Sequence, residues 1–211
     1  TQDLSKNLTI SMWIKKGPSS IGNGPNLISK DHKNEFAVWW WDGSLTWGHG
    51  TSISTNDNYY YYTATGLESF ITANNWHQIT MVREGSGTSW NVKFYHNGNV
   101  FSNTTSGLTG SGSNTPLQSS ASVFIAVRNN GDNTTQASSW FDGSIDDVRI
   151  YDNALSSIEV KNIYNQGRPH TGPIAYWSLD ESAGSLALDS IHNNAATING
   201  STLKVTGYNG K

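Results

Sequence analysis

The stretch Trp140-Phe-Asp-Gly-Ser-Ile-Asp-Asp-Val-Arg-Ile-Tyr-Asp-Asn-Ala-Leu155 combines a turn, a strand and the approach to a helix. Because side chains alternate along a strand, Asp146, Val148 and Ile150 are predicted to share one face of the strand 145–151. A carboxylate on the same strand face as two β-branched apolar residues is costly to bury unless it binds a cation or accepts hydrogen bonds. Asp146 is therefore a candidate metal ligand.

A short helix is predicted directly after this strand. Ser156 and Glu159 have the spacing of a capping box, in which each residue binds a free backbone N–H of the first helical turn. Gly167 is a typical residue to follow a helix end. The sequence thus predicts one short helix near 156–166.

The rest of the chain has the pattern of strands and turns. Leu8, Ile10, Met12 and Ile14 alternate with Thr, Ser, Trp and Lys, as expected for a half-buried strand. Charged residues make up only 14% of the 211 residues, while Gly, Ser, Thr and Asn are abundant, which favours short strands and turns over helices. The length suits a single β-sandwich.

Several stretches, in order along the chain, resemble strands of the laminin-G-like, concanavalin A-like lectin/glucanase jelly rolls. Trp140–Leu155 resembles the last strand of that family, written F-x-G-x-I-D-D-V-R-I-Y-x-x-A-L. The earlier matching stretches are Leu8–Ile14, Leu27–Lys30, Trp76–Val82 and Val92–Gly98. The resemblance implies an all-β fold, an antiparallel β-sandwich of the jelly-roll type, and a non-catalytic member of the family.

The C-terminal segment resembles the opening of such a domain, not its end. Residues 174–184 and 187–194 match sequence motifs at the start of a family domain. Residues 207–211 match the motif that precedes the following strand of such a domain. We therefore predict a body at 1–170 and an opening segment at 171–211. The segment would complete the same sandwich by permutation, complete a neighbouring copy in trans, or be the head of the next domain of a tandem array. A body without its opening strand exposes an unpaired edge, which favours pairing.

The resemblance also implies one structural calcium ion between the opening segment and the last strand. On the matching positions its ligands are Asp146, Asp189 and a backbone oxygen in the segment that ends at Asn194, with Asp147 as an alternative ligand. Calcium takes six to eight oxygen ligands. The competing interpretation is that Asp189 makes an Asx turn, Asp146 accepts a backbone N–H and Asp147 pairs with Arg149.

Aromatic residues are the second candidate site. The chain has nine tryptophans and nine tyrosines, with runs at 39–41 and 59–62. Sugar rings carry apolar C–H faces that stack on flat aromatic rings. If Trp40 faces the core, Trp39 and Trp41 face outward. Core packing is the alternative for any single tryptophan. The candidate ligand-binding residues are Trp39, Trp41, Trp47, Tyr60, Trp90 and Trp140.

Catalytic motifs are absent from the sequence. A retaining glycosidase needs two carboxylates about 5 Å apart, and the E-x-D-x-x-E motif that supplies them in hydrolases of this fold does not occur. The six histidines lack zinc-binding spacing, and the chain has no cysteine. These observations predict a binding protein and not an enzyme.

The remaining function classes are narrowed by charge and hydropathy. A net charge of −3 gives no reason to expect a nucleic acid or an anionic membrane as partner, and no apolar run is long enough to span a bilayer. We predict a secreted or cell-surface carbohydrate-binding or adhesion module with a structural calcium ion. Its partners would be a glycan or cell-surface polysaccharide and further copies of itself. The alternative is a structural subunit of a surface filament, a tandem stalk or a viral fibre, completed by strand exchange.

Overall fold

The computed structural model describes residues 3–19, 21–50, 59–109, 114–129, 135, 139–166, 174–179, 186–191 and 195–198. The strands within these ranges are β1 Leu8–Lys16, β2 Asn26–Lys30, β3 Phe36–Trp41, β4 Ser44–Gly50, β5 Tyr59–Ala64, β6 His77–Ser86, β7 Ser89–His96, β8 Asn99–Phe101, β9 Thr104–Thr109, β10 Phe124–Ile125, β11 Gly143–Tyr151, β12 Ala175–Trp177, β13 Leu186–Leu188 and β14 Ala195–Ile198. The helix α1 spans Ser157–Gln166, and short helical turns occupy Asp31–Glu35 and Leu67–Phe70.

The strands form two sheets that pack face to face. One sheet has six strands in the order β12-β11-β1-β6-β7-β8, and the other has eight in the order β13-β14-β10-β2-β3-β4-β5-β9. The pairings are antiparallel except that of β10 with β14. One apolar core lies between the sheets and includes Ile10 and Met81 from the first and Val38 and Trp40 from the second. The predicted antiparallel β-sandwich is confirmed.

Strand β11 contains a β-bulge in its pairing with β1. Ser11 pairs with Arg149, but Trp13, two residues further along β1, pairs with Asp146, three residues back along β11. The extra residue on β11 is accommodated at Asp147, whose φ of 52° is in the left-handed region. In such a bulge, two residues of one strand lie opposite one residue of the other. The side chains beyond the bulge therefore point to the other side of the sheet than simple alternation predicts.

The bulge overturns the predicted facing of Asp146. Val148 and Ile150 are buried in the core, and beyond the bulge Ile145 also packs against the core. Asp146 lies opposite Trp13 on the outer side of the sheet, although it is only 7% exposed. The prediction that Asp146 shares a face with Val148 and Ile150 is therefore wrong, because one inserted residue shifts the alternation by one.

The helix α1 packs on the outer side of the six-stranded sheet. The Ser156 hydroxyl accepts from the Glu159 N–H at 3.3 Å, and Glu159 Oε2 accepts from the Ser156 N–H at 2.8 Å, so the predicted capping box is present. Val160 and Ile163 of the helix belong with Tyr95 to a second apolar cluster. The described part of the chain contains no helix that is long and apolar enough to cross a membrane.

The described parts of the C-terminal segment extend both sheets of the same chain. Strand β12 pairs with β11, while β13 and β14 follow β10 at the edge of the larger sheet. Ala175, Trp177, Ala187 and Ala196 are buried in the core. The segment therefore supplies core side chains to both layers. Its correspondence to the opening of a family domain stays a prediction.

Candidate functional site

The outer side of the eight-stranded sheet carries a group of aromatic side chains. Phe36, Val38 and Trp40 of β3 are fully buried in the core, which meets the condition under which Trp39 and Trp41 lie on the opposite side of the strand. On β5, Tyr60 and Tyr62 pack toward the core, which places Tyr59 and Tyr61 outward. We call Trp41, Trp39, Tyr59 and Tyr61 the outer aromatic row.

Three of the four rings, those of Trp39, Tyr59 and Tyr61, contact one another edge to face. The ring centroids of Trp39 and Tyr59 are 5.6 Å apart with planes at 81°, and those of Tyr59 and Tyr61 are 6.4 Å apart at 62°. Edge-to-face contacts place the positive edge of one ring against the negative face of the next, and each is worth about 0.5–1.5 kcal/mol. The ring of Tyr59 is thus held between those of Trp39 and Tyr61.

Two glycines let these rings lie on the sheet. A Cβ on Gly48 of β4 would lie 2.6 Å from Cη2 of Trp39, and one on Gly107 of β9 would lie 2.6 Å from Cζ of Tyr61. Only glycine leaves room for a ring at this distance from the backbone. The row consequently crosses the sheet from β3 over β4 to β5 and β9.

Exposure differs strongly along the row. Trp41 is 57% exposed, whereas Trp39 is 7% exposed, and Tyr59 and Tyr61 are half-buried. Trp41 therefore offers an open ring surface, while Trp39 mainly supports its neighbours. The outward facing of Trp39 was predicted for the case that Trp40 faces the core, but its small exposure was not, because a contact with Gly48 on another strand is invisible in the local sequence.

Trp47 does not belong to this surface. It is fully buried, it stacks on Phe36 with centroids 5.4 Å apart, and its Nε1–H donates to His49 Nδ1 at 3.3 Å. A ring without solvent access cannot stack on a sugar, so we remove Trp47 from the candidate ligand-binding residues. Its position two residues from Leu45 on β4, with both residues in the core, accounts for its burial.

The other three predicted aromatic residues lie away from the row. Tyr60 packs against the core and stacks on His49 with centroids 6.3 Å apart. Trp90 lies on β7 in the other sheet, half-buried, and its Nε1–H donates to Gly87 O at 2.8 Å. Trp140 precedes β11 and is 36% exposed. The structure does not bring these rings together with Trp41.

Tyr59 and Tyr61 belong to the row but are not among the ligand-binding residues predicted from the sequence. Four consecutive tyrosines show no polar–apolar alternation, so the phase of β5 could not be determined from them alone. The burial of Ala64 determines which side chains face inward. Ala64 is fully buried, and Tyr62 and Tyr60, two and four residues before it, lie on the same face of the strand.

A buried set of charged groups holds the chain's first described segment on the sandwich. The fully buried guanidinium of Arg83 donates to Glu35 O at 2.9 Å, to Lys6 O at 2.7 Å and to Leu4 O. Burial lowers the pKa of Arg83 to about 9. Since all three acceptors are backbone carbonyls, the role of this guanidinium is structural.

Glu35 is the buried acid of the same region. Its Oε2 accepts from Lys30 Nζ at 2.7 Å and from the Ser119 N–H at 3.0 Å, and its Oε1 accepts from the Leu4 N–H. Burial raises the pKa of Glu35, against the opposing effect of Lys30. A buried acid with a raised pKa is a candidate for catalysis. Here the carboxylate is wholly enclosed and engaged by three donors, which is what a structural clasp requires.

His49 forms a third buried contact with a neighbouring loop. Its Nε2 and Asn114 Oδ1 are 2.7 Å apart, and since Nδ1 accepts from Trp47, the proton is on Nε2. Burial, with a smaller effect of Arg83, lowers the pKa of His49 to about 3. Asn114 Nδ2 also donates to the Tyr62 hydroxyl at 2.8 Å. The imidazole is therefore neutral and fixes the loop to the sandwich.

The candidate calcium ligands are occupied by hydrogen bonds within the protein. Both Asp147 oxygens accept from Arg149, at 3.0 and 2.7 Å, as one of the two predicted alternatives has it. Asp146 Oδ1 accepts from the Asp147 N–H at 2.8 Å. Asp189 Oδ1 accepts from the N–H groups of Tyr176 and Ile191, and the bond to Ile191 is the i to i+2 contact of an Asx turn.

Over the described residues, no group of three or more His, Cys, Asp or Glu side chains could hold a metal ion. Asn194, the remaining predicted ligand, lies outside the described residues. Strand β12 lies between β11, which carries Asp146, and Asp189. The described carboxylates by themselves do not fit a calcium site, and the ion stays a prediction.

Comparisons with known proteins agree with this architecture. The family described as the Concanavalin A-like lectin/glucanases superfamily matches residues 1–161. A comparison with curated protein sequences gives no match. Among solved structures, the native heptameric SAP-like pentraxin from Limulus polyphemus is similar with a TM-score of 0.55 and 20% identity, over 90% of this chain and 83% of the pentraxin.

Two further solved structures share the fold. A candidate carbohydrate-binding protein from Bacteroides ovatus ATCC 8483 has a TM-score of 0.57 and 16% identity, over 94% of this chain and 53% of that one. The binding domain of botulinum neurotoxin serotype C1 has a TM-score of 0.50 and 17% identity, over 77% of this chain and 37% of that one. This chain thus spans only part of both proteins. By its sequence match over 1–161 and its two-sheet sandwich, the chain belongs to the concanavalin A-like lectin/glucanases superfamily.

Proposed function

We propose that the chain is a non-catalytic carbohydrate-binding module that works outside the cell, and that it binds its glycan on the outer aromatic row. The observation that carries the proposal is the exposure of Trp41, 57% of whose surface is open to solvent on the row. A single exposed apolar residue is ordinary. An exposed indole on the same side of a sheet as three further outward aromatic rings is the kind of surface that binds a ligand.

The chemistry of the row suits sugars. The faces of aromatic rings are negative and attract the slightly positive C–H groups on the apolar side of a sugar ring. A platform built on strands is also already ordered before binding, so little conformational freedom is lost when the ligand arrives. The family description includes lectins, and one fold relative is a candidate carbohydrate-binding protein. Both support a glycan as the ligand.

The family description also includes glucanases, and three observations favour binding over catalysis. Glu35 is fully buried, Glu68 accepts from Lys16 and from the Ile21 N–H, and neither lies on the outer aromatic row. The four strands that carry or support the row contain no carboxylate, so Asp42, in the turn next to Trp41, has no second carboxylate on these strands. A glycosidase places two carboxylates on either side of the scissile bond.

Location and adhesion complete the proposal. The low content of charged residues, 14%, and the abundance of Gly, Ser, Thr and Asn suit a secreted or surface-attached sandwich, and the family match supports the same context. Attachment to a cell-surface polysaccharide would make the module an adhesion unit. Calcium is not part of this proposal, because the described carboxylates are engaged by protein donors.

A binding experiment with two variants tests the proposal. Trp41→Ala is expected to weaken the binding of glycans found on a glycan array by on the order of tenfold, or about 1.4 kcal/mol. Phe70→Ala is the matched control, since Phe70 is 55% exposed and does not belong to the row. Equal affinities for the wild type and Trp41→Ala, or no binding of any glycan by the intact protein, would contradict the proposal.

A further inference from the structure

We infer that the glycan bound on the outer aromatic row is an uncharged, extended sugar chain, without carboxylate or sulfate groups on the units that contact the row. The inference rests on the proposed function and names the ligand class for the same surface. It is carried by the charge distribution around the row, and not by the aromatic residues alone.

The four strands that form this surface carry no Asp, Glu, Lys or Arg. This holds for every position of β3, β4, β5 and β9. His49, the histidine of β4, is fully buried and faces the core. On the adjacent strand β2, the ammonium of Lys30 is 2% exposed and bound to Glu35. These five strands thus offer no cation for an anionic sugar to meet.

The charged groups nearest the row along the chain also disfavour anions. Asp42, next to Trp41 in the turn between β3 and β4, is exposed and negative. Lys16 is bound to Glu68 at 3.0 Å, and the Glu68 N–H donates to Gly43 O of the same turn. The lysine charge at this end of the row is therefore already compensated, and the exposed charge beside Trp41 is negative.

Electrostatics then separates neutral from anionic ligands. The face of an aromatic ring is negative and repels a carboxylate or sulfate placed above it. An anion that leaves water for this surface loses hydration and gains no counter-charge. Neutral sugar rings lose only weakly hydrated C–H surface at the same place. The row therefore selects against anionic units.

Uncharged hydrogen-bonding groups lie beside the aromatic rings. Thr46, Thr63 and Thr105 are paired across β4, β5 and β9 on the outer side of the sheet. The hydroxyls of Thr46 and Thr63 are 3.2 Å apart, and Thr105 is exposed. Thr46 is only 5% exposed and its hydroxyl meets that of Thr63, so the exposed Thr105 and the half-buried Thr63 are the threonines that can exchange hydrogen bonds with a neutral sugar.

The extent of the surface favours a chain over a single sugar. The four rings are carried by β3 and β5, which are two strand intervals apart. Trp41 is opposite Ser44 of β4, whereas Tyr61 and Tyr59 are opposite Gly48 and Gly50, four and six residues further along β4, or about 13 and 20 Å. A single sugar ring would cover Trp41 alone and leave Tyr59 and Tyr61 uncovered. A chain of several units can contact Trp41 at one end and the tyrosines at the other.

A titration series tests the ligand class with the full chain. Soluble oligosaccharides of glucose, mannose and xylose are the neutral probes, and alginate, polygalacturonate and heparin are the anionic probes. Wild type, Trp41→Ala and Phe70→Ala are measured by calorimetry at 50 mM and 500 mM NaCl. We expect Trp41-dependent binding of a neutral probe, an affinity that rises with chain length, and a change of less than about twofold between the two salt concentrations, because no ion pair is screened.

The outcomes separate the two proposals. Trp41-dependent binding of an anionic probe that weakens severalfold at 500 mM NaCl would overturn the uncharged ligand but leave the aromatic row as the binding surface. Equal affinity for a monosaccharide and its oligosaccharides would overturn the extended ligand. If no probe binds in a Trp41-dependent manner, the proposed function fails and this inference fails with it.

Discussion

The indole of Trp39 lies on the backbone of Gly48, so close that a Cβ there would be 2.6 Å from Cη2 and 2.7 Å from Cζ3 of the ring. The two residues are on neighbouring strands and are diagonal to each other, since Trp39 pairs directly with Thr46. The glycine therefore fixes the position of the ring that supports Tyr59. The position of Trp39 in the aromatic row thus depends on the absence of a side chain at Gly48.

Substituting Gly48→Ala is expected to displace Trp39 and to weaken the row. Overpacking of this kind costs about 1–3 kcal/mol of the free energy of unfolding, and we expect glycan affinity to fall as well. Gly17→Ala is the control, because a Cβ at Gly17 meets nothing within 4 Å. Urea denaturation checks the stability. Equal midpoints for the two variants would show that the ring can move without cost.

Loss of the buried ion pair is expected to be far more costly than loss of an exposed one. Lys30→Met leaves the carboxylate of Glu35 buried without its cation, which should cost about 3–5 kcal/mol. Lys93→Met removes the partner of Glu84 in a pair that is 45% and 40% exposed, and should cost at most about 1 kcal/mol. Chemical denaturation of both variants checks this. A small effect of Lys30→Met would mean that Glu35 becomes protonated and remains bonded to Leu4 and Ser119.

Acid is expected to destabilise the fold through His49. Its pKa is lowered to about 3, so between about pH 6.5 and 3 the unfolded chain binds a proton that the folded chain does not. Stability is therefore present above pH 6.5 and falls as the pH is lowered, by about 1.4 kcal/mol per pH unit from this group.

The variant His49→Gln tests this pH dependence. It cannot take up the proton, so its stability should fall less steeply between pH 6.5 and 4 than that of the wild type. His77 and His96, whose pKa values are also lowered by burial, will retain part of the slope. Urea midpoints at four pH values provide the measurement. Parallel curves for the wild type and the variant would show that His49 does not contribute.

Removal of metal tests the predicted calcium ion, and the hydrogen bonds of the described carboxylates favour an unchanged melting temperature. Asp189 Oδ1 already accepts two backbone N–H groups, and both oxygens of Asp147 are bound by Arg149. Differential scanning calorimetry in calcium and in a chelator makes the comparison. A fall in melting temperature with the chelator that the Asp189→Asn variant abolishes would instead establish the predicted calcium ion.

The C-terminal segment is expected to unfold together with the body. Trp177 is 3% exposed in the core, so Trp177→Ala should cost about 3–5 kcal/mol. Leu188→Ala, at a position that is 53% exposed, should change stability by less than about 0.5 kcal/mol. Light scattering is expected to give a monomer at every concentration, since the described strands of the segment pair within one chain. A dimer whose abundance rises with concentration would favour strand exchange between copies.

Local patterns were sufficient where a single strand or helix end decides the outcome. Alternation predicted that Trp39 and Trp41 lie on the side of β3 opposite to Trp40, without deciding which side faces the core, and the Ser156–Glu159 spacing predicted the start of α1. Both depend on backbone geometry within a few residues. Asp146 was assigned to the wrong side because a bulge depends on the pairing of two strands. The phase of Tyr59–Tyr62 could not be determined for a similar reason, since four identical residues have no alternation.

The amino-acid sequence by itself determined the all-β class, the family resemblance and the helix, because these follow from periodicity and short motifs. Tertiary structure alone decided which aromatic rings share a surface, that Trp47 is enclosed in the core, and that Gly48 and Gly107 receive rings from neighbouring strands. It also decided that the carboxylates of Asp147 and Asp189 meet protein donors. The physical reason is that exposure and pairing depend on contacts between strands, which a linear pattern does not contain.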